Sequence, residues 1–271
     1  MSREPDAQPQ AALRRHLITL ADDELVLGYR CSEWTGVAPM VEEDVAFSSL
    51  AQDEIGHARL YYTLASELGG GDPDRLALDR APGDYYHARV LEQRTAPRYD
   101  PSGLAPQGGD WARAVALCEL YERFDELRTA VLAECSLPQI AGALDKVRRE
   151  ERYHLRHAAD WWSRLAGGSP EARDRLQQAI DDLWPGVLGL FEGSPGEALL
   201  VEVGVLPGMT AALRPRWLEA LAPAFAAYGL TLPSAETAPL LGGRQGIHGP
   251  EWDALHDEMT MVRRLAPEGV W

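Results

Sequence analysis

Two stretches of this chain set a glutamate and a histidine, three residues apart, in the middle of an otherwise apolar helical stripe. Phe47, Leu50, Glu54, His57, Tyr61, Leu64 and Leu68 follow one another at spacings of three and four. That spacing is one continuous face of a helix packed against others. Ile140, Leu144, Val147, Glu151, His154, Ala158, Trp161 and Leu165 repeat the pattern. A third stripe, Leu13, Leu17, Leu20, Glu24, Leu27, Cys31 and Trp34, carries one glutamate at its centre. A carboxylate buried alone is costly unless it is protonated, paired or bound to a metal. Three stripes with such groups at one depth therefore call for one shared cause.

A pair of divalent metal ions supplies one. In ferritin-like four-helix bundles, two helices each give a Glu, two give Glu-x-x-His, and all six side chains converge on two ions. Here Glu54-Ile55-Gly56-His57 and Glu151-Arg152-Tyr153-His154 are the two paired elements, and Glu24 is one single glutamate. The two paired elements lie 97 residues apart, and Glu122 lies 98 residues after Glu24, so an internal repeat points to Glu122 as the sixth ligand. Glu122 is in phase with Trp111, Val115 and Cys118, although a second stripe of Leu117, Leu120, Phe124, Leu127 and Val131 competes on the same segment. Residues i and i+3 share a helix face, which lets the glutamate bridge or chelate while the imidazole caps one ion. An oxygen-rich set with one histidine per ion suits iron or manganese better than zinc. Two interpretations stay open: an occupied di-metal centre at Glu24, Glu54, His57, Glu122, Glu151 and His154, or a buried hydrogen-bonded network left after a metal site was lost.

The rest of the chain is consistent with an all-α fold. Alternating runs of β-branched residues are almost absent. Glycine and proline clusters delimit helices near 11–35, 39–68, 84–94, 110–135, 138–166 and 170–192, with a last helical pattern from about Pro250 to Leu265. The expected architecture is a polar, disordered leader over 1–10 and one ferritin-like helical domain over 11–271, with core hairpins 11–68 and 110–166 and a helical tail 193–271. A formal charge of −16 repels phosphate backbones and argues against nucleic-acid binding. No stretch reaches the roughly 18 apolar residues of a membrane span. Three scattered cysteines fit a reducing cytoplasm better than a disulfide framework.

Other polar groups have plainer expectations. His87, His157, His248 and His256 are expected at the surface or an interface, and Tyr61-Tyr62 and Trp161-Trp162 in packing. Asp22-Asp23 and Glu42-Glu43-Asp44 are expected at solvated helix starts. The loop Gly242 to His248 offers Arg244 and backbone amides to a phosphate group only weakly. No dinucleotide fingerprint, phosphate loop or nucleophile elbow occurs, so no catalytic or organic-cofactor residue is assigned.

Several segments resemble the phenylacetyl-CoA epoxidase family, a multicomponent bacterial di-iron system. They are Leu25-Val26-Leu27, Ser32-Glu33-Trp34, Ala38-Pro39, Gln52-Asp53-Glu54-Ile55-Gly56-His57-Ala58 and Glu151-Arg152-Tyr153-His154-Leu155-Arg156. Gly242-Gly243-Arg244-Gln245-Gly246-Ile247-His248 and Arg263-Arg264-Leu265-Ala266-Pro267 are similar to its C-type rather than its A-type subunits. The resemblance implies a ferritin-like subunit that binds and stabilises a catalytic di-iron A-type partner in phenylacetate catabolism, with homo-oligomers also allowed. C-type subunits usually have eroded ligands, whereas the set here is complete. A stand-alone di-iron oxidase, oxygenase or ferroxidase is the alternative expectation.

Overall fold

The computed structural model describes residues 7–98, 108–267 and 269. Among these the regular structure is entirely helical, as an all-α ferritin-like bundle requires. The α-helices are α1 (Ala7–Ser32), α2 (Val41–Ala65), α3 (Pro73–Leu78), α4 (Trp111–Leu132), α5 (Pro138–Ala166), α6 (Pro170–Leu188), α7 (Glu197–Glu202), α8 (Arg214–Tyr228) and α9 (Trp252–Leu265). Of the expected leader, residues 1–6 lie outside the described residues, while Gln8, Pro9 and Gln10 already belong to α1.

Local chemistry sets the helix starts. Asp110 caps α4 by accepting from the Ala112 and Arg113 amides, and Ser169 caps α6 through the Ala172 amide. Pro138 and Pro170 open α5 and α6, where a missing N–H costs nothing. Glu42, Glu43 and Asp44 place negative charge on the first turn of α2.

Helices α1 and α2 form one hairpin and α4 and α5 the other, with α2 also meeting α5. Gly28 sets how closely α1 approaches α2. A methyl group there would sit 3.0 Å from the Glu54 Cβ and 3.1 Å from the Ala51 carbonyl. One turn before it on α1 lies Glu24. Helix α4 packs against α5, α6 and α8. That is why two stripes compete on α4: both are buried, Glu122 on one and Leu117, Leu120 and Phe124 on the other. Trp34, Phe47, Trp111 and Trp161 pack edge-on or tilted at centroid distances of 5.0 to 6.1 Å at one end of the bundle.

The largest departure from expectation is residues 84–94, which are not an α-helix. The segment holds two short 3-10 turns, Pro82–Asp84 and Arg89–Glu92, joined by extended backbone. The reason lies on α1. Asp22 and Asp23, expected at a solvated helix start, are mid-helix and fully buried. Asp22 accepts the Tyr86 amide at 2.7 Å and Asp23 accepts the Ala88 amide at 2.8 Å, so these N–H groups bond carboxylates rather than helical carbonyls. Asp22 also accepts from the Tyr62 hydroxyl at 2.5 Å and pairs with Arg80. Asp23 is gripped by Arg128 at 2.8 Å and by both terminal nitrogens of Arg244, at 2.6 and 2.9 Å. Arg244 is thus committed to the core and is not free to hold a phosphate.

Removing one partner of a buried ion pair leaves an uncompensated charge. Arg244→Met should therefore cost about 3–5 kcal/mol of stability, read from the urea midpoint. Arg75→Met, at an exposed pair with Asp79, should leave the midpoint nearly unchanged.

Candidate metal centre

The six residues singled out from the sequence meet between the two hairpins. Ligand atoms of Glu24, Glu54, His57 and Glu151 all lie within 4.8 Å of one another, and so do those of Glu54, Glu122, Glu151 and His154. The two groups overlap in Glu54 and Glu151. All six side chains are buried, none more than 4% exposed.

The arrangement is nearly two-fold. His57 Nδ1 is 3.4 Å from Glu54 and 3.1 Å from Glu151, and His154 Nδ1 is 3.2 Å from Glu54 and 3.7 Å from Glu151. The outer nitrogens are held by the residue preceding the central glutamate of the opposite helix. His57 Nε2 lies 2.9 Å from Glu150, and His154 Nε2 lies 3.3 Å from Asp53. A carboxylate behind each imidazole fixes the ring and leaves the inner nitrogen facing the centre. Sequence reasoning missed Asp53 and Glu150 in this role. The available signal was that each Glu-x-x-His is immediately preceded by a second acid.

Several inward-facing atoms have no hydrogen-bond partner among the described residues: Glu54 Oε2, His57 Nδ1, Glu122 Oε2, both Glu151 oxygens and His154 Nδ1. Buried polar atoms are rarely left so. Oxygen and imidazole donors with free lone pairs converging on two points are what a pair of divalent ions requires, and the residues fit such a group. Glu24 arrives with one oxygen engaged by Arg128, while Tyr121 donates weakly to the other at 3.4 Å.

Protons can meet the same electrostatic demand. Burial opposes charge on His57, but its contacts with Glu151 and Glu54 and their negative charge outweigh it and push the ring up to about 12. His154 is pushed up to about 11 in the same way. Glu54 and Glu151 are correspondingly held low, against the effect of burial, by the two histidines. Burial and neighbouring carboxylates raise Glu24 and Glu122 well above the usual range. Asp125 is raised by burial to about 7 although it shares Arg128 at 2.6 Å.

The surroundings also correct the plainer expectations. His87 and His256 are buried, and His256 bonds the Arg80 carbonyl at 3.0 Å. His157 pairs at 2.7 Å with Glu43, which is buried at the start of α2. Tyr61, expected in packing, is buried with its hydroxyl unpartnered among the described residues, near Asp125, Glu24 and Glu151.

Comparison with known proteins points one way. The family described as "Phenylacetic acid catabolic protein" matches residues 1–271. The chain is 31% identical to the C subunit of the 1,2-phenylacetyl-CoA epoxidase of Escherichia coli (strain K12), over 96% of this chain and 99% of that protein. Against the A subunit of the same enzyme it is 23% identical, over 86% of this chain and 72% of that protein.

The protonated histidines give a pH dependence of definite sign. Unfolded, each loses its proton near 6.5; folded and metal-free, each keeps it to about 11 or 12. Their stabilisation is complete below about pH 6.5 and is lost as pH rises through the folded values. Chelator-treated protein should therefore lose stability steadily from about pH 7 to about pH 10 in urea titrations. Glu54→Gln, which removes a charge facing both rings, should flatten that slope, and a stability that rose over this range would contradict the assignment.

Proposed function

The chain belongs to the phenylacetic acid catabolic protein family, and from that premise we propose that it is a C-type subunit of a multicomponent phenylacetyl-CoA epoxidase in phenylacetate catabolism. Its role there is to bind and stabilise a catalytic A-type partner. The observation that carries this is the match to nearly the whole length of a C subunit, where the match to an A subunit leaves more than a quarter of it uncovered. A stand-alone oxidase or ferroxidase is not favoured. Met40, Val41 and Val45, left exposed at the start of α2, supply apolar surface for such a partner. No helix among the described residues is long and apolar enough to cross a membrane.

We further propose that this protein keeps its own metal pair. Glu24, Glu54, His57 and Glu151 would hold one ion and Glu54, Glu122, Glu151 and His154 the other. Iron or manganese bound there would supply redox chemistry toward dioxygen. Charge supports the assignment, because two dications balance the four carboxylates of the set, while Arg128 and Arg244 balance Asp23 and Asp125. Asp53 and Glu150 orient the two rings by accepting hydrogen bonds from their outer nitrogens. The aromatic cluster of Trp34, Phe47, Trp111 and Trp161 excludes water from that end of the bundle.

Co-expression with an A-type subunit should give a stable complex, weakened by Val41→Asp/Val45→Asp without a change in melting temperature of the isolated chain. Absence of any complex would overturn the subunit assignment. For the metal, Glu54→Ala should lower both metal content and melting temperature, since a ligand that binds only the native state stabilises it by mass action. Asp53→Asn and Glu150→Gln should each weaken metal affinity about 10–100-fold. If chelator leaves the melting curve of the metal-supplemented wild type unchanged, no metal is bound.

A further inference from the structure

A second group of metal-ligating side chains lies outside the bundle centre, where the 3-10 turn Arg89–Glu92 meets the loop before α9. His87, Glu92 and His248 bring one ligand atom each within 4.8 Å of the others. His248 Nδ1 is 2.9 Å and His87 Nε2 is 3.3 Å from the same oxygen of Glu92. His87 is fully buried, and neither of its ring nitrogens has a hydrogen-bond partner among the described residues. A buried imidazole left so is costly: Glu92 can accept from Nε2, 3.3 Å away, but no described residue reaches Nδ1.

The groups around the cluster are ordered as they are behind a metal. His248 Nε2 lies 3.0 Å from the Tyr85 carbonyl, which can only accept, so that nitrogen carries the proton. The 2.9 Å contact between Nδ1 and the Glu92 oxygen is then satisfied by a second proton on the ring or by a metal ion that both groups ligate. Glu92 is itself fixed, its second oxygen accepting the Gly249 amide at 2.6 Å. Hydrogen bonds of this kind to backbone groups set the tautomer and direction of metal-bound side chains. Trp252 packs against both rings, at 4.2 and 5.0 Å between centroids, and walls the cluster from solvent. On another side lies a cavity of about 410 Å³, lined by Glu92 and Gly249 together with Arg89, Arg94 and Arg113.

We propose that His87, Glu92 and His248 form a second, separate site for one divalent transition-metal ion, a clasp that ties the C-terminal loop to the 82–94 connector. Two imidazoles and one carboxylate suit zinc, whose ligands in a tetrahedral site lie about 3.3 Å apart at bond lengths of about 2.0 Å. The His87 separation to Glu92, 3.3 Å, equals that spacing, and the His248 separation, 2.9 Å, is shorter. The rings stack 4.5 Å apart at 17°, so the His87 ring must turn for both lone pairs to meet one ion. The fourth position is left to water or to a group entering from the cavity. The site shares no residue with the bundle centre, so it stands or falls independently of the proposed function.

The test is equilibrium dialysis of the chelator-stripped full chain against Zn²⁺, with melting curves alongside. Wild type should bind one zinc equivalent more than His87→Asn or His248→Gln, and zinc should raise the melting temperature of wild type more than of either variant. In a Glu54→Gln/Glu151→Gln background, which disables the bundle centre, one equivalent should remain, with two imidazole ligands in its X-ray absorption spectrum. If that background does not fold, the difference between wild type and the two histidine variants decides alone. Equal zinc stoichiometry in wild type, His87→Asn and His248→Gln would overturn the site, as would bound zinc with fewer than two imidazoles.

Discussion

Burial of negative charge is the constraint on which the rest of this structure depends. Asp22, Asp23 and Glu24 are consecutive on α1 and fully buried. Successive helical residues point about 100° apart, so the three carboxylates face three directions. Asp22 holds Arg80 and the connector, Asp23 holds Arg244 and Arg128, and Glu24 faces the cluster between the hairpins. Each could be buried only because a cation or donor from a distant part of the chain reaches it. The same charges that would otherwise prevent folding thus fix where the connector, the C-terminal loop and the second hairpin must lie.

Arg128 is the link between this scaffold and the centre. Its guanidinium, itself buried, touches Asp23, Glu24 and Asp125, while Tyr121 completes the ring of contacts at 3.1 Å. Arg244 shares Asp23, so two positive charges serve three carboxylates, and burial together with neighbouring carboxylates raises the affinities of Glu24 and Asp125 for protons. Further positive charge is therefore required at the centre, as protons on His57, His154, Glu24 and Glu122 or as metal. Metal bound there would compete with those protons, which would couple its loading to pH.

The near two-fold symmetry of the centre follows from the repeat. Each hairpin contributes an acid pair followed by a histidine, Asp53-Glu54 with His57 and Glu150-Glu151 with His154. Across the interface each histidine leans on the other hairpin's outer acid. Neither half can satisfy its own ring, which makes pairing of the hairpins and ordering of the rings a single event.

Helical periodicity made the four core helices and the convergence of Glu24, Glu54, His57, Glu151 and His154 legible in the sequence, because a charged pair in an apolar stripe has few places to go. Glu122 was legible only through the 97-residue repeat, since α4 is buried on more than one face and its own pattern is ambiguous. Asp53 and Glu150 were written beside Glu54 and Glu151, but only the crossing of α2 and α5 shows that each serves the opposite helix. What tertiary structure alone decided was the fate of groups whose partners lie far along the chain. Asp23 and Arg244, 221 residues apart, look like solvated charges in any local window. The 84–94 segment has helical composition, yet its Tyr86 and Ala88 amides are taken by carboxylates of α1. His87 and His248 look like unrelated polar residues until the fold stacks their rings. Local spacing determines a helix and its buried face, whereas long-range ion pairs and hydrogen bonds form only once the chain has closed, so their energies leave no period in the sequence to find.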